Sequence, residues 1–114
     1  MAYGELFVNE PIPTKEMDTM RLLVEQAAAN WYRSEMSLKE GDHLRIFVRL
    51  GGCGSVQPGF SLGVMRDVPR NPALNHVSEG IVFFMEEDNL WYLDNKKLRI
   101  AWDEQQEEIV MEVS

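Results

Sequence analysis

The sequence predicts an α+β domain that is mostly β, with two small sheets packed face to face and one N-terminal helix. Three observations carry that expectation. Apolar residues recur once at helical spacing, at Val24, Ala27, Ala28 and Trp31, whereas after Asp42 most of them alternate with a period of two. The alternating runs are short and are separated by glycine, proline or Asp-Asn turns. Finally, 114 residues with 45% hydrophobic content are enough for one core and no second domain.

In chain order, residues 1–19 carry Pro11 and Pro13, and no periodicity links Leu6, Phe7 and Val8 to the rest of the chain. They are predicted to be an N-terminal extension or arm, leaving 20–114 as the domain. Arg21–Val24 reads as a short strand entering a helix over Glu25–Met36, with Arg33 and Glu35 off its apolar face. Lys39-Glu40-Gly41-Asp42 stops the helix and turns the chain. In the strand His43–Leu50, Leu44, Ile46, Val48 and Leu50 point one way, and His43, Arg45, Phe47 and Arg49 the other.

The loop Gly51–Gly59 leads to a strand at Phe60–Arg66, with Phe60, Leu62 and Val64 on one face. Asp67–Glu79, with Pro69, Pro72 and two asparagines, reads as a long irregular connection. Gly80–Met85 is nearly all apolar, as a strand covered on both faces would be. Glu86–Leu93 reads as a helical turn with Leu90, Trp91 and Leu93 inward. Asp94-Asn95 then turns the chain into the strand Lys97–Asp103, and Glu107–Val113 is the last strand.

The formal charge of −8 sets the first limit on function. A field of that sign repels phosphate backbones and anionic lipid, so nucleic acid and membrane surfaces are excluded as partners, and a protein partner or a homo-oligomer is expected. The lone Cys53 rules out an intramolecular disulfide and suits a reducing compartment. With neither an apolar stretch of spanning length nor a signal-peptide pattern at the start, the cytoplasm is the expected location.

Chemistry is concentrated in Arg49-Leu50-Gly51-Gly52-Cys53-Gly54-Ser55. Glycines on both sides free the backbone and leave the thiol uncrowded, so Cys53, held by Gly51, Gly52 and Gly54, is the candidate cofactor or metal ligand. The bland alternative is a tight bulge in which a small apolar cysteine packs, because one cysteine cannot build a site. His43 and His76 lack the close spacing of a metal pair. The acidic tail Asp103, Glu104, Glu107, Glu108 and Glu112 reads as a solvated strand edge before it reads as a cation site. Nothing places a base beside Cys53, so no enzyme is expected.

In order and with fitting spacing, the chain carries Trp31-Tyr32, Gly41-Asp42, Phe47-Val48-Arg49, Gly51-Gly52-Cys53, Gly59-Phe60-Ser61-Leu62-Gly63, Gly80-Ile81, Phe83-Phe84 and Leu90-Trp91-Tyr92-Leu93-Asp94. This set, over about two thirds of the chain, resembles the HesB-like family of A-type iron–sulfur carriers (the IscA-like fold), and within it the YneR-type subgroup. The resemblance implies a HesB-like domain at 20–114 and a cluster ligand at Cys53. The family's C-terminal Cys-Gly-Cys pair is absent, and clusters normally need four thiolates or mixed Cys and His sets.

The expected function is therefore a non-enzymatic HesB-like protein of iron–sulfur cluster assembly without a complete cluster site, and no resident cofactor is expected. One alternative is a carrier of labile iron or a labile cluster, using Cys53 across a dimer. The other is a binding module unrelated to iron.

Overall fold

The structure, a computed structural model, describes residues 20–51 and 57–114. The predicted arm 1–19 and the centre of the glycine loop, with Gly52, Cys53 and Gly54, lie outside the described residues. Strand β1 (Leu22–Val24) leads directly into helix α1 (Gln26–Glu35), followed by β2 (His43–Leu50), β3 (Phe60–Arg66), β4 (Pro72–Ser78) and β5 (Ile81–Glu86). A 3-10 helix over Glu87–Leu93 then leads to the hairpin β6 (Leu98–Asp103) and β7 (Glu108–Val113).

These strands form two sheets, a three-stranded one in the order β1-β6-β7 and a four-stranded one in the order β3-β2-β5-β4. The α+β, mostly β expectation holds. In the larger sheet β2 and β3 pair antiparallel without interruption from Leu44↔Arg66 to Leu50↔Phe60, and β5 runs parallel to β2 at His43–Arg45. In the smaller sheet β1 runs parallel to β6, pairing Leu22 with Leu98.

The core lies between the sheets and under α1. It is built from Leu44 and Ile46 of β2, Ile81, Phe83 and Met85 of β5, Leu98 and Ile100 of β6, Val24 of β1, and Ala28, Ala29 and Tyr32 of α1. Phe60, Leu62 and Val64 pack against it half-buried, on the face their alternation predicts. Ile46 is fully buried, so Ile46→Ala is expected to cost about 2–5 kcal/mol in lost transfer energy and cavity formation.

The helix ends at Glu35, one residue short of the predicted Met36. Ser37 adopts φ +53°, Leu38 N–H bonds Arg33 O at 2.9 Å and Ser37 N–H bonds Ser34 O at 3.4 Å. This is a Schellman ending whose following residue, Leu38, is buried. Arg66 Nη2 donates to the Met36 carbonyl at 2.7 Å and to that of Ser37 at 3.3 Å, placing a cation where the helix dipole is negative.

Four expectations are corrected. Most of Asp67–Glu79 is a strand: β4 pairs antiparallel with β5 from Pro72↔Glu86 to Ser78↔Ile81. Pro72 escapes the penalty of a strand proline because it is the first residue of an edge strand, and Glu79-Gly80, at φ +53° and +79°, close a two-residue hairpin. The helix is rotated by about one residue, so Ala29 is buried and Ala27 exposed. In the 3-10 helix Tyr92 is inside and Trp91 about half exposed, because three residues per turn set a different inner face. Leu50 lies beyond the core at the sheet's end and is 82% exposed.

Candidate docking surface

Of the residues singled out in the sequence, Gly52, Cys53 and Gly54 lie outside the described residues, and the others do not converge. Gly51, just after β2, is exposed, and its N–H donates to Gly59 O at 2.7 Å. His43 sits at the start of β2 on the side away from the core, its ring edge-on to Phe84 at 6.2 Å. His76 is no surface residue of a loop; it lies on β4, where Nδ1 accepts the Val24 N–H of β1. The acidic residues of the last hairpin are spread along it, and Glu112 is taken up by Arg99 on the neighbouring strand. Among the described residues no three His, Cys, Asp or Glu side chains come close enough to hold a metal ion.

What the fold does assemble is the outer face of the four-stranded sheet. Residues directly opposite across strands share a face, so Arg45↔Met65, Phe47↔Gly63, His43↔Val82, Arg45↔Phe84, Asn75↔Phe84 and Val77↔Val82 place these side chains together, away from the core. Of the six exposed large hydrophobic residues among the described residues, three are here or at its rim: Met65 (41% exposed), Val68 (72%) and Val77 (59%). The Phe47 ring lies over Gly63 so closely that a Cβ there would come within 2.7 Å of it, and the Arg45 guanidinium stands 5.9 Å from the ring centroid.

Arg45 is the electrostatic centre of the face. Its Nη1 donates to Asp67 Oδ2 at 3.2 Å, while its buried Nε has no hydrogen-bond partner among the described residues. Asp67 is held below its ordinary pKa chiefly by the Val68 N–H, with further help from Arg45 and Arg70, although burial works against them. Beside it, the buried Glu86 accepts the Arg70 N–H at 2.9 Å and the Asn71 N–H at 2.6 Å. The Arg70 N–H is the largest cause of Glu86's lowered pKa; desolvation opposes it, and the Asn71 N–H and the charges of Arg45 and Arg70 assist.

Arg45, Arg70, Asn71, Glu86, Glu87 and Asp88 line an open cavity of about 460 Å³. A second, of about 330 Å³, lies between Gly41, His43 and the Arg66–Val68 segment. Both are open hollows walled by charged side chains. An apolar field around a cation that stacks on an aromatic ring has the composition of a protein contact.

Sequence reading passed over this cluster because Arg45 and Phe47 fall at the outward positions of an alternating strand and read as solvent-facing. The usable signal was Phe47 itself, a large aromatic side chain on the side assigned to water, with Met65 on the adjacent strand's matching face.

Fold and face together define a small acidic domain whose larger sheet has an open outer face of mixed polarity. The chain is 45% identical over 93 residues to the pyruvate dehydrogenase inhibitor of Bacillus subtilis, covering 82% of this chain and 98% of that protein. It is also 30% identical over 84 residues to an uncharacterized protein of Staphylococcus saprophyticus, covering 71% of this chain and 86% of the relative. No family model matches the chain. The chain belongs to the family of the Bacillus subtilis pyruvate dehydrogenase inhibitor.

This overturns the assignment to A-type iron–sulfur carriers. The relative that matches nearly end to end is named for inhibiting a dehydrogenase, not for carrying a cluster. With it go the role in cluster assembly and the alternative of a labile iron or cluster carrier. The ligand count already pointed this way, since one thiol per chain falls short of what a cluster needs. The relative's name is a regulator's, in line with the expectation of a non-enzymatic chain. Among the described residues no helix is long and apolar enough to cross a membrane.

Proposed function

We propose that this chain is a small cytoplasmic regulator that binds pyruvate dehydrogenase and inhibits it, with the domain at 20–114 as the active unit. The observation that carries the reading is the 45% identity extending over 98% of the inhibitor from Bacillus subtilis. Similarity at that level along a whole small domain preserves the fold.

The outer face of the four-stranded sheet is the contact surface in this reading. It offers Met65, Val68 and Val77 as apolar contacts, with Phe47 and Arg45 as the aromatic and cationic anchors. Aromatic and arginine side chains dominate the energetics of protein contacts. Inhibition then works by occupation of the enzyme's surface and needs no chemistry from this chain, which suits a face whose two cavities are open.

The test is titration of the purified full chain into a pyruvate dehydrogenase assay, with co-elution of the two proteins on size exclusion as the binding readout. A rate that falls to a plateau near one chain per binding site, with co-elution, is expected. An unchanged rate at a tenfold excess, with the proteins eluting apart, sinks the proposal.

A further inference from the structure

Among the described residues, β1 and β7 are the edges of the smaller sheet, and β3 and β4 those of the larger. A sheet edge presents unpaired N–H and C=O groups and is a template for another strand, so natural proteins protect their edges. Three of these four are protected. β1 is three residues long. β7 carries the exposed Glu108 and Glu112. β4 opens with Pro72, shifts register between Pro72 and Leu74, and turns His76 toward β1.

β3 has none of these devices. It runs seven residues in unbroken register with β2, and it holds no proline, lysine or carboxylate. Its one charge, Arg66, is at its end and is engaged by the carbonyls that close α1. Phe60, Leu62 and Val64 face the core but are only half-buried, which is how a core layer looks where another strand is missing.

We propose that β3 is a homodimer interface, where two copies pair antiparallel about Gly63 to make one continuous eight-stranded sheet. The sequence Phe60-Ser61-Leu62-Gly63-Val64-Met65-Arg66 is self-complementary in that register. Leu62 falls opposite the second copy's Val64 and continues the apolar layer, and Ser61 falls opposite its Met65 on the outer face. Phe60 meets the second copy's Arg66, so the strand's only charges are kept apart. A two-fold axis through Gly63 is an isologous, closed contact that forms a dimer and stops there. It also joins the two outer faces into a single surface with an Arg45 on each half. None of this depends on the pyruvate dehydrogenase reading.

Each chain brings a formal charge of −8, so long-range repulsion opposes association and salt relieves it. Sedimentation velocity of the full chain is therefore expected to show a species of twice 13.2 kDa whose share grows between 0.05 M and 0.5 M salt. In a Cys53→Ser background, Ser61→Cys combined with Met65→Cys is expected to cross-link into a covalent dimer on mild oxidation. Ser61→Cys alone is not, because in this register its two copies stand roughly 13 Å apart along the strand.

Hydrogen exchange of the unaltered chain gives a readout free of variants: amides of residues 60–66 are expected to slow as protein concentration rises. A monomer at every salt concentration overturns the proposal. So does a dimer whose β3 amides exchange independently of concentration, or one in which the single cysteine cross-links as well as the pair.

Discussion

His76 on β4 accepts the Val24 backbone N–H of β1 through Nδ1 at 2.9 Å, so a ring from the larger sheet completes the hydrogen bonding of a strand in the smaller one. Val24 is 2% exposed, and its amide loses water on folding. The bond fixes the neutral ring with its proton on Nε2, since Nδ1 is the acceptor.

Replacing that acceptor leaves a buried donor unsatisfied. His76→Phe is expected to destabilise the domain by about 1–3 kcal/mol, measured as a lower midpoint in urea with an unchanged slope. An unaltered midpoint would mean that the Val24 N–H finds another acceptor once the ring is gone.

Among the described residues, three residues other than Gly, Asn and Asp adopt the left-handed region: Ser37 at φ +53°, Glu79 at φ +53° and Glu107 at φ +54°. L-residues other than Asn and Asp pay roughly 1 kcal/mol or more for that conformation. Ser37→Gly at the end of α1 and Glu79→Asn in the Glu79-Gly80 hairpin are each expected to add about 0.5–1 kcal/mol. The melting temperature should rise by a few degrees for each. Glu79 contributes its carbonyl, not its carboxylate, to the 2.5 Å bond from Arg33 Nη1, so the asparagine keeps that contact. At Gly80, by contrast, a Cβ would stand 3.2 Å from both Arg33 Nη1 and Glu40 Cδ, and alanine there is expected to destabilise.

Acid should reveal the carboxylates of the outer face. Asp67 and Glu86 both titrate below their ordinary values of 3.8 and 4.5 in the folded protein. A depressed folded pKa gives stability that is present above the unfolded value and is lost as pH falls through the folded one. The domain is therefore expected to lose stability as pH drops below about 4. Glu86→Gln can accept only one of the two N–H groups that the carboxylate serves, so it should be less stable at pH 7. The gap to wild type should narrow towards pH 3, read from urea midpoints across the series. A gap that stays constant over that range would mean that Glu86 is not held ionised by the Arg70 and Asn71 amides.

Much of the fold was legible because hydrophobic periodicity reports burial directly. His43–Leu50 and Phe60–Arg66 have the bounds read from their alternation, since each has one face on the core. β4 was hidden because its core-side positions, Leu74, His76 and Ser78, are mostly polar and Val77 points out. A polar inner side works there only because His76 meets a backbone N–H, a relationship across 52 residues that no local pattern carries. The helix face slipped because Ala27, Ala28 and Ala29 are interchangeable by hydropathy. For the site, a glycine-flanked cysteine drew the eye, while the Arg45 cluster draws residues from β2, β5 and the segment after β3, and becomes a cluster only once the sheet order is known.

The docking face can be tested apart from the fold. Val77 is 59% exposed on the outer face of the larger sheet, and Leu23 is 47% exposed on the smaller sheet. Both stand on strands outside the proposed β3 contact, and surface substitutions of this kind usually change stability by no more than about 0.5 kcal/mol. Val77→Glu puts a charge into the apolar field around Arg45 and is expected to weaken inhibition of pyruvate dehydrogenase at least tenfold. Leu23→Glu is expected to leave it unchanged. Thermal melts of both variants within a few degrees of wild type would assign the difference to the surface and not to unfolding. If Leu23→Glu abolishes inhibition while Val77→Glu retains it, the contact lies on the smaller sheet, and the Arg45 face has no part in it.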